Sequence, residues 1–247
     1  LWTTTTEPTN FGKTEGWSGM VYAKQRLGSQ TWLTGSVGGG GFVTDTTRQV
    51  NIAGYSSTEE GSSNSSAIGG SLRLSHQIST GEQGSLTPSL GLSWLQLNQG
   101  QYSESTTTNN RAYVQPGNPL VKTADPGKAS YSLTYDSATY NSIPLEIGLA
   151  YKQPFKAGSM TVVPRISVGY ALDLGDTQRS LTARFNSAPK GSFTVDGTPA
   201  PASWFNLGLG VDVSINDRLT VYLNGLGQLS PGSTQSINYG GGFRWSF

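Results

Sequence analysis

The chain ends Ile237-Asn238-Tyr239-Gly240-Gly241-Gly242-Phe243-Arg244-Trp245-Ser246-Phe247. Ile237, Tyr239, Phe243, Trp245 and Phe247 occupy every second position apart from Gly241, and glycine, asparagine, arginine and serine fill the places between. A period of two is the spacing of a β-strand, whose successive side chains point to opposite faces. Such a strand has one aromatic face and one small, polar face.

Working back from it, Phe205, Leu207, Leu209, Val211, Val213 and Ile215 interleave with Asn206, Gly208, Gly210, Asp212 and Ser214, and Leu219, Val221 and Leu223 with Thr220, Tyr222 and Asn224. The Asn216-Asp217 pair between them has turn chemistry, and so does Ser230-Pro231-Gly232-Ser233. The pattern recurs at Val162–Leu172, Ile143–Tyr151, Leu86–Trp94 and Ile68–Ile78, and less cleanly at Trp17–Leu27 and Thr31–Arg48. It predicts an all-β chain of about nine antiparallel strands in one domain, 1–247. Links near Gly28-Ser29, Thr80–Gly84, Phe155–Ser159 and Asn216-Asp217 are short; those near Asn51–Ser65, Ser105–Asn141 and Asp176–Ser203 are long and polar. Short and long links alternate, except that the last hairpin, through Ser230–Thr234, is short where a long link is due. Short turns at one rim and long loops at the other are the arrangement of an up-and-down barrel in an outer membrane.

Composition narrows the function. With no cysteine and one histidine, His76, among 247 residues, thiolate chemistry, sulfur metal sites and histidine clusters are excluded, and no metal or other cofactor is expected. A net charge of +1 offers no field for nucleic acid. No apolar run is long enough for a membrane helix, and Leu1–Thr6 does not read as a signal peptide; barrel strands need only about ten alternating residues each. Gly38–Gly41 lacks the lysine and helix of a phosphate cradle and reads as glycine in a bending strand. His76 falls on the apolar face near a strand end, where no catalytic triad forms. Glu59 and Glu60 read as solvated loop acids, and Asn64-Ser65-Ser66 as an incidental sequon. No catalytic residue is assigned, and no enzyme is expected.

The small-residue faces carry Arg73, Glu146, Arg165, Asp173, Asp212 and Arg244. Buried between two sheets, such charges would each need a partner; facing a water-filled lumen they are tolerated. Glu146 and Arg165, on adjacent strands and facing one way, are expected to form a lumen salt bridge or a solvated pair. Tyr151, Phe155, Trp245 and Phe247 near the short-turn ends, with Trp94 and Tyr239 toward the other rim, fit interfacial girdles.

The segment Gly169-Tyr170-Ala171-Leu172-Asp173-Leu174-Gly175-Asp176, with Leu181–Phe185, Phe193–Gly197, Leu86-Thr87-Pro88 and Tyr102-Ser103-Glu104, resembles the C-terminal translocator β-barrel of autotransporters, the type V secretion proteins of Gram-negative bacteria. The likeness runs from about Trp17 to Phe247. Tyr170 and Leu172 stand where the family often has Trp and His, and Asp173 where it has Glu. The ending is similar to the signal read by the barrel assembly machinery, with Gly242, Trp245 and Phe247 at the expected spacing, although Gly240 replaces a preferred polar residue. The resemblance implies a twelve-stranded barrel with a helix threading its pore, seated in outer-membrane lipid, which anchors and exports its own N-terminal passenger. Nine strands imply that the chain lacks the helix and about three strands, so that its open edges need completion. Two alternatives are a porin-like channel selecting small solutes and a soluble β-rich adhesin.

Overall fold

The computed structural model describes residues 10–52, 55–81, 83–111, 131–230 and 236–246. Phe247, with the last place in the expected assembly signal, lies outside them. The described residues form sixteen antiparallel strand segments: β1 (Phe11–Arg26), β2 (Thr31–Ile52), β3 (Tyr55–His76), β4 (Ile78–Thr80), β5 (Gly84–Gln99), β6 (Tyr102–Arg111), β7 (Leu133–Tyr135), β8 (Ala138–Ser142), β9 (Pro144–Lys152), β10 (Phe155–Ala157), β11 (Met160–Asp173), β12 (Ser180–Phe185), β13 (Ser192–Asp196), β14 (Ser203–Ser214), β15 (Leu219–Leu229) and β16 (Ser236–Trp245).

The sixteen segments resolve into nine long strands. Pairing of β5–β6 with β7–β9 keeps one register from Ser85↔Lys152 through Leu95↔Ser142 and Gln99↔Ala138 to Ser103↔Thr134, so the breaks within each run are interruptions rather than turns. Ile78↔Leu86 likewise continues the register of Ser75↔Ser89, joining β4 to β3, and Phe155↔Val162 continues that of Lys152↔Arg165, joining β10 to β9. β11–β12 and β13–β14 are also continuous, with one extra residue in β11–β12 shifting its register by one against both neighbours. Among the described residues the order is therefore β1, β2, β3–β4, β5–β6, β7–β10, β11–β12, β13–β14, β15, β16, as the alternation predicts.

The long links differ from expectation. Asn51–Ser65 is no loop: β2 and β3 stay paired up to Ile52↔Tyr55. Much of Ser105–Asn141 and Asp176–Ser203 is strand as well, because β6, β7, β12 and β13 extend the wall beyond the apolar band. Pairing outlasts the hydrophobic pattern because backbone hydrogen bonds hold the ladder whatever the side chains, and in the extension these are mostly Ser, Thr and Asn. At the short-turn rim the geometry is local. Gly81 and Gly158 take φ of 67° and 64°, the left-handed region glycine enters without strain, and Asn216 Oδ1 accepts from the backbone N–H groups of Arg218 and Leu219 at 2.9 and 2.8 Å.

Exposure along the wall is inverted relative to a soluble protein. In β9 the exposed residues are Leu145, Ile147, Leu149 and Tyr151, and the half-buried ones Glu146, Gly148, Ala150 and Lys152. Ile147, Leu209 and Leu223 are each about 60 % exposed, whereas the described buried apolar residues are only Val50, Leu133, Ala171 and Ala183. The hydrophobic residues thus form a continuous outer band instead of a core between layers, far larger than the isolated patches a monomeric soluble protein displays. Among the described residues no helix is long and apolar enough to cross a membrane, which does not bear on crossing by strands.

Among the described residues β1 pairs with β2 alone and β16 with β15 alone, leaving two edges unpaired there. β2 carries the Gly38–Gly41 run at its pairing with Trp17–Met20. A Cβ on Gly38 would lie 2.6 Å from the Gly19 carbonyl oxygen and one on Gly39 2.7 Å from that of Ala67; one on Gly40 would meet the Trp17 carbonyl. Glycine here permits close backbone approach on both sides of β2.

Candidate functional site

The polar face is assembled in rows. Arg73, Gly91 and Glu146 are opposed in register on β3, β5 and β9, and Gly91, having no side chain, lets the Arg73 guanidinium cross the middle strand to donate to Glu146 Oε1 at 2.7 Å. Asn206 Nδ2 donates to the other carboxylate oxygen at 3.1 Å. The next row repeats the device: Arg165, Gly210 and Asn224 are opposed on β11, β14 and β15, and Arg165 Nη2 reaches over the glycine to Asn224 Oδ1 and to Asp212 Oδ1, both at 2.8 Å. A Cβ on Gly210 would intrude to 2.9 Å from the Asn224 amide oxygen.

Glu146 and Arg165 do not pair. Glu146 is opposite Ala171, six residues along β11 from Arg165, which is about 20 Å at the rise of a strand. Each takes a different partner on the far side of a glycine. Asp173 is a local anchor: its carboxylate accepts from Ser142 Oγ at 2.5 Å and from the backbone N–H groups of Ile143 and Gly175 at 2.6 and 2.9 Å, tying β11 to β8–β9 where the wall passes into its extension. Arg244 is exposed opposite Thr220. His76 bonds Thr31 Oγ1 through Nδ1 at 2.8 Å, exposed at the short-turn end.

Gly242 has a structural reason of its own, since a Cβ there would meet the Tyr222 hydroxyl at 2.6 Å and its Cζ at 2.8 Å. Trp245 sits opposite Leu219, half exposed at the foot of the edge strand, with Phe243 and Tyr239 bare above it.

A second polar cluster, in the wall's extension, escaped the sequence reading. Glu104 on β6 is almost wholly buried: it accepts from Arg48 Nε at 3.1 Å and Nη2 at 2.5 Å, from the Leu133 N–H at 3.0 Å and from the Tyr135 hydroxyl at 3.4 Å. Arg48 also donates to the Tyr131 carbonyl at 2.8 Å. Glu59, expected in solvent, is fully buried, accepting from Ser57 Oγ and Thr106 Oγ1 at 2.7 Å each. The hydrogen bond to Glu104 raises the pKa of Arg48 above its ordinary value despite burial. Tyr102 stacks on Tyr135 with ring centres 4.6 Å apart; burial, then the neighbouring tyrosine and Glu104, pushes its hydroxyl up to about 12, and burial raises Tyr135 too. The signal available in sequence was Ser57, Glu59, Gly61 and Ser63 at alternate positions, a strand face with no apolar residue.

The family model for the autotransporter β-domain matches residues 4–115 and 122–225. The chain belongs to the autotransporter β-domain family. It is the translocator of a type V secretion protein, the part that anchors and exports a passenger, and members of the family are outer-membrane barrels. Among solved structures, the translocator domain of the autotransporter NalP from Neisseria meningitidis is similar, with a TM-score of 0.63 at 19 % identity over 96 % of this chain and 68 % of that one. The β-domain of the Bordetella autotransporter BrkA aligns over 95 % of this chain and 99 % of that one at 14 % identity, with a TM-score of 0.20, too low to carry an argument. No curated protein sequence matches. The match to NalP establishes the fold that the register and exposure describe; the family match establishes the autotransporter role.

Proposed function

We propose that these residues are the nine C-terminal strands of an autotransporter barrel in the bacterial outer membrane, and that the barrel closes when further strands join β1 to β16. The carrying observation is a wall with an exposed apolar outer face and two unpaired edges. Unsatisfied backbone groups in hydrocarbon cost several kcal/mol each, so such edges must be paired. Coverage of 68 % of the NalP domain leaves about a third of that domain unmatched, which supports further strands beyond these nine. The polar face is then the lumen wall along which the passenger moves. Arg73 on it is already neutralised by Glu146, so it offers a passing chain little to adhere to, while Asp212 offsets only one of the two charges of Arg165 and the opposed Lys152. β16 is the strand the assembly machinery reads, through Gly242, Trp245 and Phe247, and the domain contributes passage rather than catalysis.

The test is gel migration, with and without boiling, of the full-length precursor beside a chain starting at Leu1. The proposal expects a compact heat-sensitive band from the precursor alone. The same band from the shorter chain would show that these residues close by themselves and overturn it.

A further inference from the structure

Lumen cations differ in one respect. Arg73 and Arg165 each hold a carboxylate, while Lys24 and Lys152 have no acidic partner among the described residues. Lys152 is moreover directly opposite Arg165 on the neighbouring strand, facing the same way, a like-charge pairing that disfavours the sheet. Asp212 compensates one of the two charges only. Lys24, on β1, carries its ammonium 5.1 Å from the centre of the Trp32 ring. These side chains line one groove of ≈ 190 Å³ toward the short-turn end of the polar face, together with the hydroxyl-bearing Ser75 and Thr87 and the amide of Gln77. No carboxylate lines it.

We infer that this groove is an anion-binding subsite for an extended, carboxylate-bearing polypeptide segment, held by Lys24, Lys152 and Arg165 beside Trp32. Three cations contributed by three different strands, β1, β9 and β11, with the hydroxyl-bearing Ser75 and Thr87 in the same lining, suit successive acidic side chains better than one compact anion. The groove opens on the face opposite the apolar band, away from lipid, which favours a polypeptide over a lipid headgroup. A bound carboxylate would relieve the Lys152–Arg165 opposition left by the chain's own residues. The assignment rests on the polar face being a lumen, but the groove is built by neighbouring strands from β1 to β11 and does not require closure.

The experiment uses the full-length precursor in detergent and a fluorescently labelled hexaglutamate peptide, followed by anisotropy. Wild type should bind it, a K24Q/K152Q variant at least tenfold more weakly, and a K24R/K152R variant nearly as well as wild type. K190Q, in an exposed turn at the other rim, should bind like wild type. Heat-modified migration of each variant verifies folding and separately reports whether the barrel closes, so failure of closure and failure of the subsite are distinguishable. Unchanged affinity in folded K24Q/K152Q, equal binding of hexalysine, or displacement by inorganic phosphate or phosphatidylglycerol vesicles as readily as by unlabelled peptide would each overturn the inference.

Discussion

Alanine at Gly38 or Gly40 tests whether close approach of β1 to β2 holds the first edge of the wall. The added methyl carbon of G38A would stand 2.6 Å from the Gly19 carbonyl oxygen and 3.0 Å from Met20 Cβ. Ordinary carbon–oxygen contact begins above 3 Å, and the obstacle is backbone, which cannot swing aside as a side-chain tip can. Relief requires β1 to move outward by several tenths of an ångström, stretching the ladder on both sides of Gly19↔Gly39. Overpacking of this kind costs about 1–3 kcal/mol. Gly19 provides the internal control, because a Cβ there meets nothing within 4 Å and replacing a strand glycine lowers the entropy of the unfolded chain. Urea unfolding of the precursor in detergent, read by tryptophan fluorescence and loss of the compact gel band, should place G38A and G40A below wild type by that amount, with G19A equal to or above it. Indistinguishable midpoints for all three would refute the account of the glycine run.

Three further outcomes are expected. A double-mutant cycle of R73Q with E146Q should give a coupling of about 0.2–1 kcal/mol, the scale of a part-exposed ion pair, and E146Q with R165Q none; coupling in the second cycle would restore the discarded pairing. E104A should destabilise the wall's extension by about 2–4 kcal/mol, because it leaves Arg48 without its carboxylate and the Leu133 N–H without its acceptor, and limited proteolysis of intact cells should then cut within that extension while the barrel band persists. The raised folded-state pKa of Tyr102 means that the folded state keeps its proton longer than the unfolded one. Its stability is therefore fully present below pH 10, falls as pH rises toward about 12, and levels off beyond. Protease resistance of the extension should decline over that window, and Y102F should flatten the decline; an identical alkaline profile in Y102F would show that the titrating group lies elsewhere.

How far the fold could be read from sequence depended on whether lipid had imposed a pattern. Ile147, Leu149, Leu207 and Leu209 alternate with glycine and polar residues, the apolar side chains on the exposed face of the wall and the small ones on the other, so strand number and the shared face of Arg73, Glu146, Arg165 and Asp212 were legible. Pairing within that face was not, since parity fixes the side of the sheet and leaves the height along it open. Arg73 and Glu146 meet because Gly91 is in register between them, and register depends on turn lengths and on one-residue slips such as that between Gly61↔Glu104 and Ser65↔Gln99. The extension was illegible for the opposite reason. Around Glu59 and Glu104 both faces are polar, the hydrophobic period vanishes, and the strands are maintained by backbone pairing and a buried Arg48–Glu104 bond whose partners are 56 residues apart. The same logic accounts for Lys24 and Lys152: sequence alternation puts each on the polar face, but only the opposition of Lys152 to Arg165 shows a charge the chain leaves uncompensated. Arg73 holds Glu146 and Arg165 holds Asp212, but Lys152 stands beside Arg165 with no carboxylate of its own among the described residues, and an anion lying against that opposition would offset it.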